Sequence, residues 1–198
     1  MKRLATVCFA VAALFTTLTA ASAQSYYEDW ASGGAPLNRR FPFFFGGSSG
    51  TGPIPRTTVM FASNYAPGTI VVNTAERRLY FVTGNGQAIR YGIGVGRDGF
   101  RWGGVHHVSA KKEWPDWTPP SQMLRRRPDL PRHMRGGEDN PLGARAIYLG
   151  STLYRIHGSN EPETIGQAVS SGCFRMVNDD VIDLYNRVSV GAKVVVLR

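Results

Sequence analysis

The hydrophobic pattern divides the 198-residue chain into three unequal stretches. Leu4 to Leu18 is a largely apolar run, residues 24–65 carry neither a helical nor a strand period, and from Tyr65 onward short runs alternate with turn residues. Pro67-Gly68 marks a turn, and Thr69 to Asn73 predicts a strand. Arg78 to Thr83, with Leu-Tyr-Phe-Val in its middle, predicts a second strand, and Gln87 to Val95 a third. The Gly84-Asn85-Gly86 link between these two predicts a hairpin turn, because Gly and Asn reach positive φ at little cost. Ala146 to Leu149, Leu153 to Ile156 and Lys193 to Leu197 predict three more strands. One segment has a clear helical period: Val181, Leu184, Tyr185 and Val188 fall at i, i+3, i+4 and i+7. Asn178 suits its N-cap, and Asp179 and Asp180 suit the positive end of its dipole. Valine- and aromatic-rich strands with turns at short intervals predict a mainly β fold, a sandwich or barrel, rather than alternating β and α units.

Residues 111–143 break this rhythm. Trp114-Pro115-Asp116-Trp117-Thr118-Pro119-Pro120 opens a long irregular excursion. Arg125, Arg126, Arg127, Arg132 and Arg135 crowd its middle, and Gly136-Gly137 and Asn140-Pro141 close it. A loop of this length in a compact domain reads as a lid or binding loop, here one offering arginines and tryptophans to an acidic peptide.

The amino terminus sets the expected compartment. Lys2 and Arg3 precede the apolar run, and Ala21-Ser22-Ala23 ends it with the small-x-small pattern of a signal-peptidase site. Residues 1–23 are therefore expected to be a signal peptide that leaves no stable membrane span once removed. Residues 24–65 are expected to be a flexible tether, since Phe41 to Pro55 is rich in Gly, Ser, Pro and aromatics. A single domain is expected over residues 66–198. Loss of Lys2 and Arg3 with the leader lowers the net charge from +9 to +7. A basic surface in a cell envelope or periplasm fits an acidic polymer, and export argues against nucleic acid as partner.

Of the two cysteines, Cys8 departs with the leader and Cys173 alone remains. Exported proteins usually carry paired cysteines or none, so a single retained thiol is a candidate nucleophile; a buried, inert cysteine is the alternative. Ile156-His157-Gly158-Ser159 ends a strand, and Ser170-Ser171-Gly172-Cys173-Phe174-Arg175-Met176 lies beyond a loop long enough to bring His157 back against Cys173. Such a pair can exist as thiolate and imidazolium. Gly172 permits close backbone approach, so its N–H and that of Cys173 are candidates to face an oxyanion. In extended chain Arg175 points to the same side as Cys173 and suits a carboxylate, although a plain ion pair with an acidic neighbour is the alternative. Gly92-Ile93-Gly94-Val95-Gly96 looks like part of a dinucleotide fingerprint but opens no helix, so close backbone packing is its better reading. His106, His107 and His133 lack metal-ligand spacing, and no metal site is expected.

His157-Gly158-Ser159-Asn160 followed by Ser171-Gly172-Cys173-Phe174-Arg175-Met176-Val177-Asn178 closely resembles the signature of the L,D-transpeptidase (YkuD) catalytic domain. Asn140-Pro141-Leu142-Gly143, Leu184-Tyr185 and Val190-Gly191 extend the resemblance, which covers about residues 66–198. Many members have histidine just before the cysteine; this chain has Gly172. The resemblance implies a β-sandwich with a short helix after the cysteine and a long lid loop. It implies a cysteine acyltransferase without metal or organic cofactor, with Cys173 as nucleophile and His157 as base. The backbone carbonyl of Gly158 or its neighbour would orient the imidazole, Gly172 would serve the oxyanion, and Arg175, Ser171 and Asn178 would bind substrate. The implied substrate is the tetrapeptide stem of peptidoglycan, cut between diaminopimelate and terminal D-alanine. A second stem as acceptor gives a 3→3 cross-link, and an envelope protein becomes anchored to the wall. Water in their place gives an L,D-carboxypeptidase, and a non-catalytic wall-binding scaffold is the reading from another class.

Overall fold

The computed structural model describes residues 52–198. The expected leader and residues 24–51 of the expected tether lie outside them. Eleven strands and two short helices follow in the described residues: β1 (Thr57–Met60), β2 (Ile70–Asn73), β3 (Arg78–Gly84), β4 (Gln87–Gly92), β5 (Val95–Gly96), β6 (Gly104–Glu113), α1 (Ser121–Arg126), β7 (Arg145–Leu149), β8 (Arg155–His157), β9 (Ala168–Ser170), β10 (Phe174–Arg175), α2 (Asn178–Arg187) and β11 (Lys193–Leu197). A single 3₁₀ turn spans Pro162–Thr164.

The strands are ordered β1-β4-β3-β2-β11-β6-β7-β8-β10, and the long strand β6 belongs to two sheets. Its first half, through His107, pairs with β11, while Val108 onward pairs with β7 after a register shift between Val108 and Ala110. A bulge bends a strand and raises its twist, which lets one strand turn the corner between packed layers. The first layer contributes Ile70, Val72, Leu79, Phe81, Ile89 and Tyr91 to the core, and the second contributes Val108, Ile147, Leu149, Ile156 and Phe174. The expected β-sandwich is the fold observed.

β2 and β11 run parallel at the centre, Ile70 opposite Val194 and Val72 opposite Val196. Ile70, Val71 and Val72 are all buried, as are Val194, Val195 and Val196. Strands covered on both faces read as unbroken apolar runs rather than alternation. The β3–β4 hairpin closes through Asn85 (φ 53°) and Gly86 (φ 69°), the two positive-φ positions of a tight turn whose twist suits flanking strands.

The expected third strand is divided. β4 stops at Gly92, and the chain crosses to the other layer, where Gly94 exchanges backbone hydrogen bonds with Arg175 (2.9 and 3.0 Å) and β5 pairs with β9. A Cβ on Gly96 would lie 2.5 Å from the Phe100 carbonyl oxygen, so close backbone packing is what this glycine-rich stretch serves. β1 falls inside the stretch read as tether: Thr57 to Met60 pair with Arg90 to Gln87, so ordered structure begins earlier than residue 66. Within the excursion, α1 follows Pro119-Pro120 and ends at Arg126; its C-cap, Arg127, precedes Pro128, which disfavours the helical region there.

α2 buries Val181, Leu184 and Val188 along the predicted face and packs on β7. Its start differs from expectation. The N-cap position is Val177, with no side-chain cap, and Asn178 is the first helical residue. Among the described residues, no helix is long and apolar enough to cross a membrane.

Candidate active site

β8 and β10 lie side by side and parallel, with Ile156 opposite Phe174 and His157 opposite Arg175. Ile156 and Phe174 enter the core at 0 % and 1 % exposure. Because side chains alternate along a strand, Arg155, His157 and Arg175 share the other face, and Cys173, one residue ahead of β10, continues that alternation beside Arg155. The pairing thus gathers the two residues singled out for chemistry on one face of two adjacent strands, although 15 residues of chain separate them.

The imidazole is oriented by the backbone. His157 Nδ1 lies 2.6 Å from the Gly158 carbonyl oxygen. A carbonyl only accepts, so Nδ1 carries the proton and Nε2 presents its lone pair. His157 is buried, and burial, seconded by the Arg175 charge, pushes its pKa down to about 3 against the pull of the Gly158 hydrogen bond. The Cys173 thiol is pushed up by burial and partly drawn back by Arg155, through its charge and its hydrogen bonds, and by Arg175. Its Sγ–H points at the Leu153 carbonyl, 3.9 Å away. Both shifts favour the neutral forms, a thiol and an imidazole, over the thiolate and imidazolium considered from sequence.

Gly172 sits at φ +106°, and a Cβ there would lie 2.6 Å from the Tyr154 ring, so only glycine fits this turn. Its N–H does not face an empty site. It donates to Ser170 Oγ at 3.1 Å, and Ser170 Oγ donates in turn to the Cys173 carbonyl at 2.6 Å. The Gly172 N–H, expected to face an oxyanion, is thus taken up within the turn. Serine in this turn acts through Ser170, whereas Ser171, expected to bind substrate, is half-buried beside it.

Asn178 is also corrected. Its Oδ1 accepts the Ala144 N–H at 2.9 Å and lies where a Cβ on Gly143 or Gly158 would intrude. The carboxamide binds the start of β7 to the His157-Gly158 corner instead of reaching for a ligand. Arg175 forms an ion pair with Glu161, Nη1 to Oε2 at 2.7 Å, which is the alternative its sequence context left open. Glu161 is itself positioned by Ser159 Oγ, which accepts its N–H at 3.0 Å.

Three residues at the site carried no assignment from sequence. Arg155 lies on the same face as His157 and directs Nη2 to the Leu153 carbonyl that the thiol also faces (3.2 Å), and its buried Nε has no partner among the described residues. Its signal was available, two positions before His157 in a strand. Ser170 stood in the quoted motif without a role. Trp102, whose indole N–H donates to the Gly172 carbonyl at 2.7 Å, is 70 residues away in sequence, and nothing local marks it.

The lid differs in part from expectation. Trp114 is exposed, but Trp117 is buried and pairs with Met134 across a β-bridge. Arg127 is held by Asp129 through two hydrogen bonds (2.9 and 2.7 Å), while Arg125, Arg132 and Arg135 face solvent. Arg126 lies over the Phe100 ring at 5.6 Å, which sets α1 beside the Gly172 turn that Phe100 lines. Buried Asn140 fastens the base, donating to the Pro115 and Arg135 carbonyls (3.2 and 3.0 Å) and accepting the Leu142 N–H (2.9 Å). Of the remaining histidines, His106 meets Trp102 edge-on, His107 pairs with Lys193, and His133 neighbours Asp116.

Comparison with known proteins places these observations in a family. The family model of the L,D-transpeptidase catalytic domain (YkuD) matches residues 67–196. The probable L,D-transpeptidase ErfK/SrfK of Escherichia coli is 41 % identical over 137 residues, 65 % of this chain and 43 % of that protein. The putative L,D-transpeptidase YqjB of Bacillus subtilis is 32 % identical over 142 residues, 67 % of this chain and 74 % of that protein. The chain thus spans less than half the length of the Escherichia coli relative. Among solved structures, L,D-transpeptidase 3 of Mycobacterium tuberculosis shares the fold with a TM-score of 0.52 at 18 % identity, over 66 % of this chain and 60 % of that one. A Brucella melitensis structure described as a probable carnitine operon oxidoreductase is 46 % identical, with a TM-score of 0.50 over 73 % of this chain and 94 % of that one. With the match running through both His157 and Cys173, the chain belongs to the L,D-transpeptidase (YkuD) family.

Proposed function

We propose that this protein is an exported cysteine acyltransferase that remodels peptidoglycan stem peptides through a thioester on Cys173. The observation that supports the reading is the paired β8–β10 face, which Cys173 and His157 share, together with a Gly158 carbonyl that fixes the proton on His157 Nδ1. A neutral imidazole with a free Nε2 lone pair is a general base. The thiol turns from the Leu153 carbonyl toward Nε2 and loses its proton as Sγ attacks the carbonyl carbon that precedes the terminal D-alanine. The carbonyl π pair moves to oxygen, where the Cys173 N–H meets the charge. Collapse of that intermediate breaks the C–N bond, and the imidazolium returns the proton to the departing D-alanine amine. An acceptor amine then attacks the thioester and gives a proton to His157; the intermediate expels the Cys173 thiolate, which takes that proton back.

Arg175, paired on one edge with Glu161, offers its remaining N–H groups to a stem carboxylate, and the solvent-facing arginines of the lid add positive charge on the approach. The apolar leader at residues 4–18 and its small-residue boundary support export to the periplasm, where this substrate resides. The acceptor is a second stem or an envelope protein, with water giving the carboxypeptidase. The oxidoreductase description of the Brucella relative finds no support in the glycine-rich segment: Gly92 to Gly96 joins two strands, whereas a dinucleotide fingerprint opens a helix.

Incubation of the purified chain with disaccharide-tetrapeptides tests the reading. Release of D-alanine is expected, and Cys173→Ala is expected to lower it by at least about a thousandfold. Dimeric products identify a stem acceptor, and tripeptides identify water. No D-alanine from the wild-type chain would remove the proposed activity.

A further inference from the structure

The turn that delivers Cys173 is fixed from two directions. Ser170 holds the Gly172 N–H and the Cys173 carbonyl. From another strand connection, the Trp102 indole N–H donates to the Gly172 carbonyl at 2.7 Å. The indole is itself immobilised: it stacks on Tyr154 at 4.3 Å and 10°, and leans on buried Phe174 at 5.2 Å.

The carbonyl of residue 172 and the N–H of residue 173 belong to one trans peptide and point in opposite directions. Holding the carbonyl on the indole therefore aims the Cys173 N–H away from it. Among the described residues no acceptor takes up that N–H. Gly172 has no side chain to resist rotation of this peptide, and glycine tolerates both orientations. The indole N–H is the group that distinguishes them.

We propose that Trp102 is a positioning residue for acyl transfer, locking the Gly172–Cys173 peptide so that the Cys173 N–H faces the oxygen of the carbonyl under attack. The proposal rests on Cys173 acting as the nucleophile. As the Sγ–C bond forms, the C=O π pair moves to oxygen, and the fixed N–H stabilises it there; when the pair returns, the C–N bond breaks. The contribution appears in the transition state, so its loss lowers kcat and spares KM. Alkylation of the same sulfur by iodoacetamide displaces iodide and creates no oxyanion, so it is indifferent to this peptide's orientation.

Trp102→Phe deletes the N–H and keeps a stacking ring. Alkylation by iodoacetamide, acylation by imipenem followed by intact mass, and D-alanine release from tetrapeptides are measured on the purified wild-type and variant chains. Alkylation and KM are expected to stay within about twofold, while acylation and kcat fall by at least about tenfold. Acylation at the wild-type rate would overturn the proposal. So would a parallel fall in alkylation and acylation, which would make Trp102 a packing residue. A wild-type chain that is neither acylated nor releases D-alanine would overturn the nucleophile assignment, and this proposal with it.

Discussion

At His157 the imidazole has little solvent to share a charge with, and Arg175 adds a like charge beside it. The two effects hold the ring neutral from about pH 3 upward, and the raised thiol keeps its proton through neutrality. A base that stays neutral and a nucleophile that ionises only as it reacts make a pH profile unlike that of a free histidine. D-alanine release is expected to show no inflection near pH 6.5 and to vary less than about twofold between pH 5 and 8. Iodoacetamide alkylation, which needs preformed thiolate, is expected to climb throughout that range. A rate that halves near pH 6.5 would show an exposed imidazole and contradict the burial seen here. At this scale the sequence was informative where alternation applied. Alternation put Cys173 and Arg175 on one side; that His157 shares this face follows from the β8–β10 register, which the sequence does not report. Arg155 obeys the same rule, two positions before His157 in β8, and went unassigned. Ser170 and Ser171 are chemically identical, and only the folded turn shows which hydroxyl holds the backbone.

The helix α2 was legible because its core face repeats every 3.6 residues, and Val181, Leu184 and Val188 are buried as that period requires. Asp180 lies in the first turn of α2, as its sequence position suggested, but the period does not report its burial. It is 1 % exposed, and Arg56 reaches it at 3.4 Å from a segment that local composition marked as tether. Burial, outweighing Arg56, raises its pKa to about 6. A carboxyl raised above its unfolded value favours folding when protonated, so this contribution is present below about pH 4 and lost as pH rises through 6. Asp180→Asn is expected to remove that dependence. Relative to the variant, the wild type should lose on the order of 2 kcal/mol between pH 4 and pH 7, read from thermal or denaturant unfolding. Parallel stability curves would show that Asp180 ionises freely in the folded chain. Several strands left no pattern to read. β6 exposes seven of its ten residues and buries only Val108, and β9 and β10 have three and two residues. Their positions are set by pairing with distant strands, which no local period reports. Trp117 looked like a ligand contact for the converse reason, since its partner Met134 lies across the excursion.

For the molecule as a whole, the shared strand β6 sets two sheets face to face, and the candidate chemistry lies on the short parallel pair at the end of the second sheet. The architecture was readable from strand spacing and turn residues. The corner through β6 and the crossover at Gly94 were not, because they depend on a register shift and on a bridge to Arg175. Family membership fixes the cysteine-bearing domain, while the acceptor depends on what reaches the thioester past the arginine-bearing lid. The central claim is that Cys173 carries the acyl group. The most direct measurement is rapid-quench intact mass of the purified chain mixed with a tetrapeptide stem. The account predicts a transient species heavier by the acyl tripeptide, mapped to the peptide containing Cys173 and matched by free D-alanine. D-alanine released with no mass increase at any time point, or the adduct on another residue, would contradict it.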